Sequence, residues 1–429
     1  MADLKFRTHH GMVDILPSEV SKWQFVEQVI RKTAKKFDFE EIRTPIMEPT
    51  GLIARGVGQL TDIVSKEMFN FERGDDQFVL RPEGTAPVAR AFIQHHLSQY
   101  GGSQKLFYIG PFFRAERPQK GRQRQFHQFG AELIGSQNPL ADAEIIAFML
   151  EIYNQIGIKN TILNINSIGD PETRLVYKEE LKNYFKPYLN KLSELSQKRF
   201  ETNPMRILDS KEKEDLPFLD NAPRIIDYLS NNSALHYSNL KKYLESMNIL
   251  YQENPYLVRG LDYYSETAFE LISPDLGGQD ALGGGGRYDL LIEEVGGPLT
   301  PAVGFACGME RLFIAAEAAE IDLNQPSSLE VYIVTRGEKA QKWALEMLPI
   351  LRANNLSCTM DFMDRSLKAQ MKEANKKKTK YAIIVGENEL TSNIFTLRSM
   401  DRSEEVQLGL DELLEKLTLI QNTSIETKE

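Results

Sequence analysis

The stretch Leu106 to Gly135, LFYIGPFFRAERPQKGRQRQFHQFGAELIG, reads as two strands joined by a polar, basic loop. A connection that short returns the chain beside itself, which makes the pair antiparallel. Between Arg114 and Arg124 stand five basic side chains (Arg114, Arg117, Lys120, Arg122, Arg124) and one acid, Glu116. A solvated hairpin tip is one reading of that run. Against it, Arg114 follows two phenylalanines and so belongs to the strand, not to the tip. Pro118, Gly121 and the amide of Gln119 describe a polar loop suited to phosphates and base edges.

On the N-terminal side, Ser18 to Phe37 repeats apolar residues at three- and four-residue steps and predicts a helix, with Ser18 as its N-cap. EEIRTPIME is extended around Pro45, which cannot donate to a ladder and points to an edge or interface strand. MFNF and QFVL flank ERGDD as a hairpin. In LRPEGTAPVARAFIQHHL a strand gives way to a helix near Thr85. DAEIIAFMLEIYNQIG predicts a helix with Ile145, Met149, Ile152 and Ile156 on one face.

After Asp170 the composition turns rich in Lys, Glu, Asn and Leu at helical spacing, as far as about Asn254. Strand character returns in LVRGLDYYSETAFE, Leu257 to Glu270, where Arg259 stands between a valine and a glycine. If that stretch is a strand, Tyr263 and Tyr264 point to opposite faces. GGGGRYD, Gly283 to Asp289, fits neither a Walker loop nor a dinucleotide fingerprint. It reads as a wide turn, or as bare backbone for a ligand to lie against. AVGFACGMERL, Ala302 to Leu312, is a close-packed strand entering a helix near Met309, with Arg311 in the first turn. A polar linker, Leu323 to Glu330, precedes alternating strands and helices, and the tail QNTSIETKE is expected to be loose.

The fold expected is α+β. A mostly antiparallel sheet domain (residues 1–169 and 255–322) is interrupted by a helical insertion (170–254). A separate α/β domain follows (328–429).

The 429 residues allow about three domains, and 41% hydrophobic with 26% charged residues is an ordinary globular composition. No run approaches a membrane span, so no membrane association is expected. Two cysteines, Cys307 and Cys358, provide no disulfide framework, and a reducing cytoplasm fits best. Cys307 reads as a small buried filler. Six histidines without HExxH-like spacing predict no metal site. With 51 basic and 61 acidic residues, nonspecific coating of nucleic acid is disfavoured, though a local basic groove is not.

What remains is three cations in separate contexts (Arg114, Arg259, Arg311), two carboxylates (Glu83, Glu132) and three phenols (Tyr263, Tyr264, Tyr288). Glu83 also reads as a charge complementing a helix dipole. No serine or cysteine nucleophile is set up. The inventory suits in-line attack at phosphorus, with fixed cations stabilising the phosphoryl oxygens.

These segments resemble those of the histidyl-tRNA synthetases, a family of class II aminoacyl-tRNA synthetases. EEIRTPIMEPT is similar to the first class motif, FFRAERPQKGRQRQFHQFGAELIG to the second and AVGFACGMERL to the third. LVRGLDYYSETAFE and ALGGGGRYD resemble two segments peculiar to the histidine enzymes.

The resemblance implies attack of histidine's carboxylate on the α-phosphorus of ATP, then transfer of the histidyl group to the 3′ end of its tRNA. It implies a homodimer, with Mg2+ accompanying ATP and no assigned protein ligands for the metal. By motif, Arg114 and Arg259 act on the α-phosphate, and Arg114 also on the substrate carboxylate. Phe126 and Arg311 flank adenine, Glu116 lies near its amino group, and Arg122 lies toward the γ-phosphate. Glu83, Thr85 and Gln128 hold the backbone end of histidine. Glu132, Tyr264 and Tyr288 surround the imidazole, with Tyr263 beside them. Gln119 contacts the acceptor end, and the last domain reads the anticodon, with Lys376, Lys377, Lys378 and Lys380 as candidate phosphate contacts.

Ser265-Glu266-Thr267 departs from the Thr-Gly-Thr common in the family, which puts the local turn in question. Two rival readings share parts of this pattern. One is the regulatory paralogue of the histidine-biosynthetic ATP phosphoribosyltransferase; the other is a non-catalytic RNA-binding module.

Overall fold

The computed structural model describes residues 5–58, 61, 63–258, 261, 263–324 and 329–426. The chain forms two compact units, Met1–Asn324 and Gln325–Glu429.

The first unit is built on an eight-stranded sheet. Its order is Glu40–Glu41, Gln104–Phe113, Gln125–Ile134, Ala302–Gly308, Ala281–Arg287, Ser265–Ile272, Ile162–Ser167 and Gln252–Glu253. The two outermost pairings are parallel and the five between them antiparallel. The opening pair of strands is therefore a hairpin, second and third in the sheet, in register from Gln104↔Ile134 to Phe113↔Gln125.

Alternation divides this sheet into two chemically different faces. One carries Phe129, Ala131, Leu133, Val303, Phe305 and Phe269, all buried. Helices Pro17–Lys36, Pro139–Ile156, Asn231–Ser246 and Met309–Ala318 cover it. Ile145, Met149, Ile152 and Ile156 face that core from one side of their helix. The other face carries the polar residues taken up below.

The first helix begins at Pro17, with Leu16 and not Ser18 at its N-cap. Proline's fixed φ and missing N–H suit the first helical position, which moves the N-cap two residues earlier. Phe69–Arg73 and Asp76–Leu80 form the expected hairpin, turning at Gly74 with φ +61°. The four glycines Gly283 to Gly286 form neither a turn nor a loop. They are the middle of a strand flanked on both sides. A Cβ on Gly285 would come within 1.9 Å of the Gly304 carbonyl, so close strand approach, not flexibility, explains the run.

Tyr263 and Tyr264 precede the strand Ser265–Ile272 and are not part of it. Their rings lie 4.6 Å apart instead of on opposite faces, because a turn conformation carries no alternation.

Behind the sheet, Arg287 and Asp142 form a fully buried ion pair, with Asp289 and His236 as further partners. Burial pushes Asp142 toward neutrality, but Arg287 and then His236 outweigh it and hold its pKa down at about 2. Removing one member of a buried pair strands the other. Arg287→Met is expected to destabilise the chain by about 3–5 kcal/mol. Urea unfolding followed by fluorescence measures this, and a loss below about 1 kcal/mol would contradict it.

The second unit is a five-stranded mixed sheet ordered Cys358–Met360, Val331–Thr335, Tyr381–Val385, Ile394–Ser399, Glu405–Gly409. The first three strands run parallel and the last two antiparallel. Parallel neighbours need crossovers, supplied by helices Glu338–Ala353 and Leu367–Lys376. Trp343 stacks on Phe395 at 4.6 Å within its core. The final helix, Leu410–Glu426, extends through most of the segment expected to be loose.

Candidate active site

Across the polar face of the first sheet the register aligns Glu132 with Gly304 and Gly286, and Gly130 with Ala306, Gly284 and Glu270. Gln128 aligns with Gly308. Three strands therefore present glycine or alanine where side chains would otherwise stand. The result is a floor of bare backbone between Gln128 at one end and Glu270 at the other. Above it lies a cleft of about 590 Å³, the size of a small-ligand site.

Ten of the residues singled out from the sequence line this one cleft: Glu83, Thr85, Arg114, Glu116, Arg122, Phe126, Gln128, Tyr263, Tyr264 and Arg311. Arg259 lies outside the described residues. Gln119 lies outside the cleft. It closes a tight turn with Arg122 (N–H to carbonyl 3.0 and 2.9 Å in the two directions), beside a second depression on the far side of Arg311.

The cationic end is held by backbone. The Arg114 Nε donates to the Pro82 carbonyl at 3.0 Å, and its guanidinium lies 5.2 Å above the Phe126 ring. Arg311 donates to the carbonyls of Ala281 (2.6 Å) and Gly121 (3.4 Å). Burial lowers the Arg311 pKa, and the neighbouring Arg122 lowers it further. Cations so close repel one another, so an anion between them is favoured. Arg122 pairs with Glu116 at 3.3 Å across the base of the loop.

The carboxylates have different roles. Glu83 accepts the backbone N–H groups of Thr85 (2.7 Å) and Ala86 (2.9 Å), closing the N-terminus of helix Thr85–Gln94. The helix-dipole reading of Glu83 therefore describes its contacts, while the same residue also lines the cleft. Glu132 lies one layer deeper, beneath the lining. It accepts the Thr85 hydroxyl at 2.8 Å and the Tyr288 hydroxyl at 2.5 Å. Burial raises its pKa to about 8 in spite of those two donors. The position exists because Gly304 has no side chain: a Cβ there would sit 1.7 Å from the Glu132 carboxylate. The side-chain oxygen of Gln128, facing the same cleft, is buried without a hydrogen-bond partner among the described residues. It fits a donor brought by a ligand.

Several site residues escaped the sequence reading. Tyr108 is buried with its ring against Gly84 and Gly130. Burial raises its pKa, and Glu132 and Glu83 raise it further, which locates the phenol beside both carboxylates. Even-numbered spacing from Phe112 along its strand would have pointed to it. Arg199 and Arg206 of the helical segment also line the cleft, as do Glu270 and Glu310. Nothing local in sequence links 199 or 206 to the sheet.

A family model described as Histidyl-tRNA synthetase matches residues 11–312, and one described as Anticodon binding domain matches 330–419. The chain belongs to the histidyl-tRNA synthetase family. It is 48% identical over 420 residues to the Histidine–tRNA ligase of Chloroherpeton thalassium, covering 96% of this chain and 98% of that one. It is 45% identical over 409 residues to the corresponding ligase of Natranaerobius thermophilus (95% and 97%). The crystal structure of apo S. aureus histidyl-tRNA synthetase superposes with a TM-score of 0.82 at 38% identity, covering 96% of this chain and all of that one.

For a histidyl-tRNA synthetase the Ser265-Glu266-Thr267 segment is informative. Glu266 has φ +51°, in the left-handed region that favours glycine. It falls at a register shift between Gly286 and Arg287. Its backbone exchanges hydrogen bonds with Gly169 (3.0 Å) and Ile168 (2.7 Å), and its carboxylate accepts the Ser233 hydroxyl at 2.8 Å. These contacts hold Glu266 in a conformation that glycine adopts without strain.

Proposed function

We propose that this chain is a histidine–tRNA ligase, using ATP to activate L-histidine and charging its tRNA. In the first step a carboxylate oxygen of histidine attacks the α-phosphorus. The bond to the bridging oxygen breaks and pyrophosphate leaves. In the second, the terminal ribose hydroxyl of the tRNA attacks the activated carbonyl and AMP departs. Neither step needs a protein nucleophile.

Arg114 stabilises the charge on the α-phosphoryl oxygens, and the family motif assigns the same task to Arg259. Phe126 and Arg311 hold the adenine between them, Glu116 takes its amino group, and Arg122 neutralises the far end of the triphosphate. Glu83, Thr85 and Gln128 hold the ammonium end of histidine; the unpartnered Gln128 oxygen supports this. Glu132, Tyr263, Tyr264 and Tyr288 read the imidazole, which offers one donor and one acceptor when neutral. Leaving a buried polar group unpaired is what would reject other amino acids. Gln119 meets the acceptor end of the tRNA.

Mg2+ is part of the proposal as a companion of ATP that neutralises its phosphate charge. Glu116, Glu270 and Glu310 line the cleft, but no cluster of three metal-ligating side chains occurs among the described residues. That pattern fits a cation held mainly by nucleotide oxygens and water. A homodimer and a cytoplasmic location belong to the same reading; no helix of the described residues is long and apolar enough to cross a membrane. Residues 1–169 and 255–322 would carry the chemistry, 170–254 the insertion and 328–429 anticodon recognition.

The observation that carries the reading is the single cleft: anchored cations at one end and a deep carboxylate at the other, over a floor without side chains. The regulatory paralogue is disfavoured because the nucleotide residues Arg114, Phe126 and Arg311 are in place and the second unit is present. The test is charging of tRNA with histidine by the full chain and by a chain ending at Leu323. The truncated chain is expected to keep histidine-dependent ATP–pyrophosphate exchange and to lose charging by on the order of 10²-fold. Undiminished charging would remove the anticodon assignment, and absence of exchange in the full chain would remove the ligase reading itself.

A further inference from the structure

The turn that carries Tyr263 and Tyr264 is tied to the helical segment that follows strand Ile162–Ser167. Strand Ser265–Ile272 pairs with Ala281–Arg287 as far as Ser265↔Arg287, one residue short of Tyr264. At Tyr264 the tie passes to a side chain: Nη1 of Arg174 donates to the Tyr264 carbonyl at 3.0 Å. Arg174 is half-buried near the start of helix Pro171–Phe185. That helix is capped by Asp170, whose carboxylate accepts the Thr173 N–H (2.8 Å) and the Ser230 hydroxyl (2.6 Å). Ser230 in turn caps helix Asn231–Ser246, accepting the Ser233 N–H at 3.2 Å. From this second helix Ser233 reaches Glu266 at 2.8 Å and His236 reaches Thr267 at 3.3 Å. The two helices are therefore fixed to each other and to the residues around Tyr264.

Of these ties, the one from Arg174 bears on a residue that lines the cleft. Tyr264 is buried, and a Cβ on Gly286 would come within 2.9 Å of its ring, so the ring lies against the glycine floor. A peptide unit is planar, so a charge-assisted hydrogen bond that holds the Tyr264 carbonyl also fixes its Cα and the direction in which the ring leaves the backbone. Burial raises the Glu294 pKa and Arg174 opposes the rise, which places that carboxylate near the guanidinium. The nucleotide end of the cleft is anchored separately, Arg114 by the Pro82 carbonyl and Arg311 by the Ala281 carbonyl.

We propose that Arg174 is a positioning residue for Tyr264, so that the helical segment sets the affinity for the imidazole end of histidine without touching the substrate. The proposal rests on reading the cleft as the site of a histidine–tRNA ligase, with Tyr264 beside the imidazole.

The test is histidine-dependent ATP–pyrophosphate exchange by the full chain, with histidine and ATP varied separately. Arg174→Met is expected to raise the KM for histidine about 10-fold, the factor carried by one hydrogen bond from a charged group, and to leave kcat and the KM for ATP within about twofold. Arg174→Lys keeps a cationic donor and stays within about threefold of the unsubstituted chain. Glu294→Gln changes the KM for histidine by less than about twofold, because the carbonyl contact and not the carboxylate carries the effect. In a Tyr264→Ala background Arg174→Met adds less than about twofold, since the ring it would position is gone. Hydrogen exchange of the peptide covering residues 263–267 quickens in Arg174→Met, while helix Thr85–Gln94 keeps its protection.

The proposal is overturned if Arg174→Met raises the KM for ATP or lowers kcat as much as it raises the KM for histidine. A full defect in Arg174→Lys, or effects that multiply in the double variant, would overturn it as well. So would loss of protection in both peptides, which marks a general loosening. If the unsubstituted chain shows no histidine-dependent exchange, the ligase reading itself fails. If it exchanges and Arg174→Met has the same KM for histidine, the positioning role alone fails.

Discussion

Replacing Arg114 with alanine lowers histidine-dependent ATP–pyrophosphate exchange by about 10²–10³-fold, the range expected when one preorganised donor to a developing oxyanion is lost. The guanidinium is held twice, by its Nε bond to Pro82 and by the Phe126 ring beneath it. Its terminal nitrogens have no hydrogen-bond partner among the described residues and remain for a ligand. Little reorganisation is then needed when charge builds on the phosphoryl group. Arg114→Lys recovers only part of the loss, because an ammonium cannot fork across two oxygens. The thermal midpoint stays within a few degrees, since Arg114 belongs to no buried ion pair. Exchange kinetics and a melting curve on the same preparations check both halves. A variant with near-normal exchange would remove Arg114 from the chemistry.

Glu132→Gln has the second large effect, on histidine and not on ATP. Burial raises the Glu132 pKa to about 8, so near neutral pH the pocket carries a proton before histidine arrives. An imidazole, with an ordinary pKa near 6.5, can share that proton in a charge-assisted hydrogen bond. The amide variant offers no such proton, and the KM for histidine is expected to rise by about 10- to 100-fold. With Glu132 intact, KM for histidine rises as pH climbs through 8, because the shared proton is lost; in the variant that rise flattens.

Stability follows the same sign. Between about 4.5, where an unfolded glutamate titrates, and about 8, the folded chain holds a proton that the unfolded chain has released. Stability therefore falls as pH rises across that window and levels off above it, and Glu132→Gln removes this contribution. A KM for histidine that is unchanged in the variant would move the imidazole elsewhere.

Much of the site was legible in the sequence because its residues lie on regular elements. Phe126, Gln128 and Glu132 fall at even spacing on one strand, and Arg311 at the first turn of a helix. What could not be read came from neighbours across strands. The glycines at 283–286 look like a loop until Gly304 is set opposite Gly286 and Glu132 opposite Gly304. Tyr263 and Tyr264 looked like strand residues because the apolar run around them hides a turn. Arg199 and Arg206 reach the cleft from a helical segment whose Tyr177, Leu181 and Phe185 share one core with Tyr108, Tyr264 and Tyr288, a long-range packing that no local pattern signals.

A crystal structure with histidine and a non-hydrolysable ATP analogue tests the central claim most directly. The account predicts the imidazole lying over the glycine floor with one ring nitrogen within hydrogen-bond distance of Glu132, and the α-phosphate against Arg114. Histidine bound outside this cleft, or a Glu132 still sealed beneath Thr85 and Tyr288 with no contact to the ring, would contradict it.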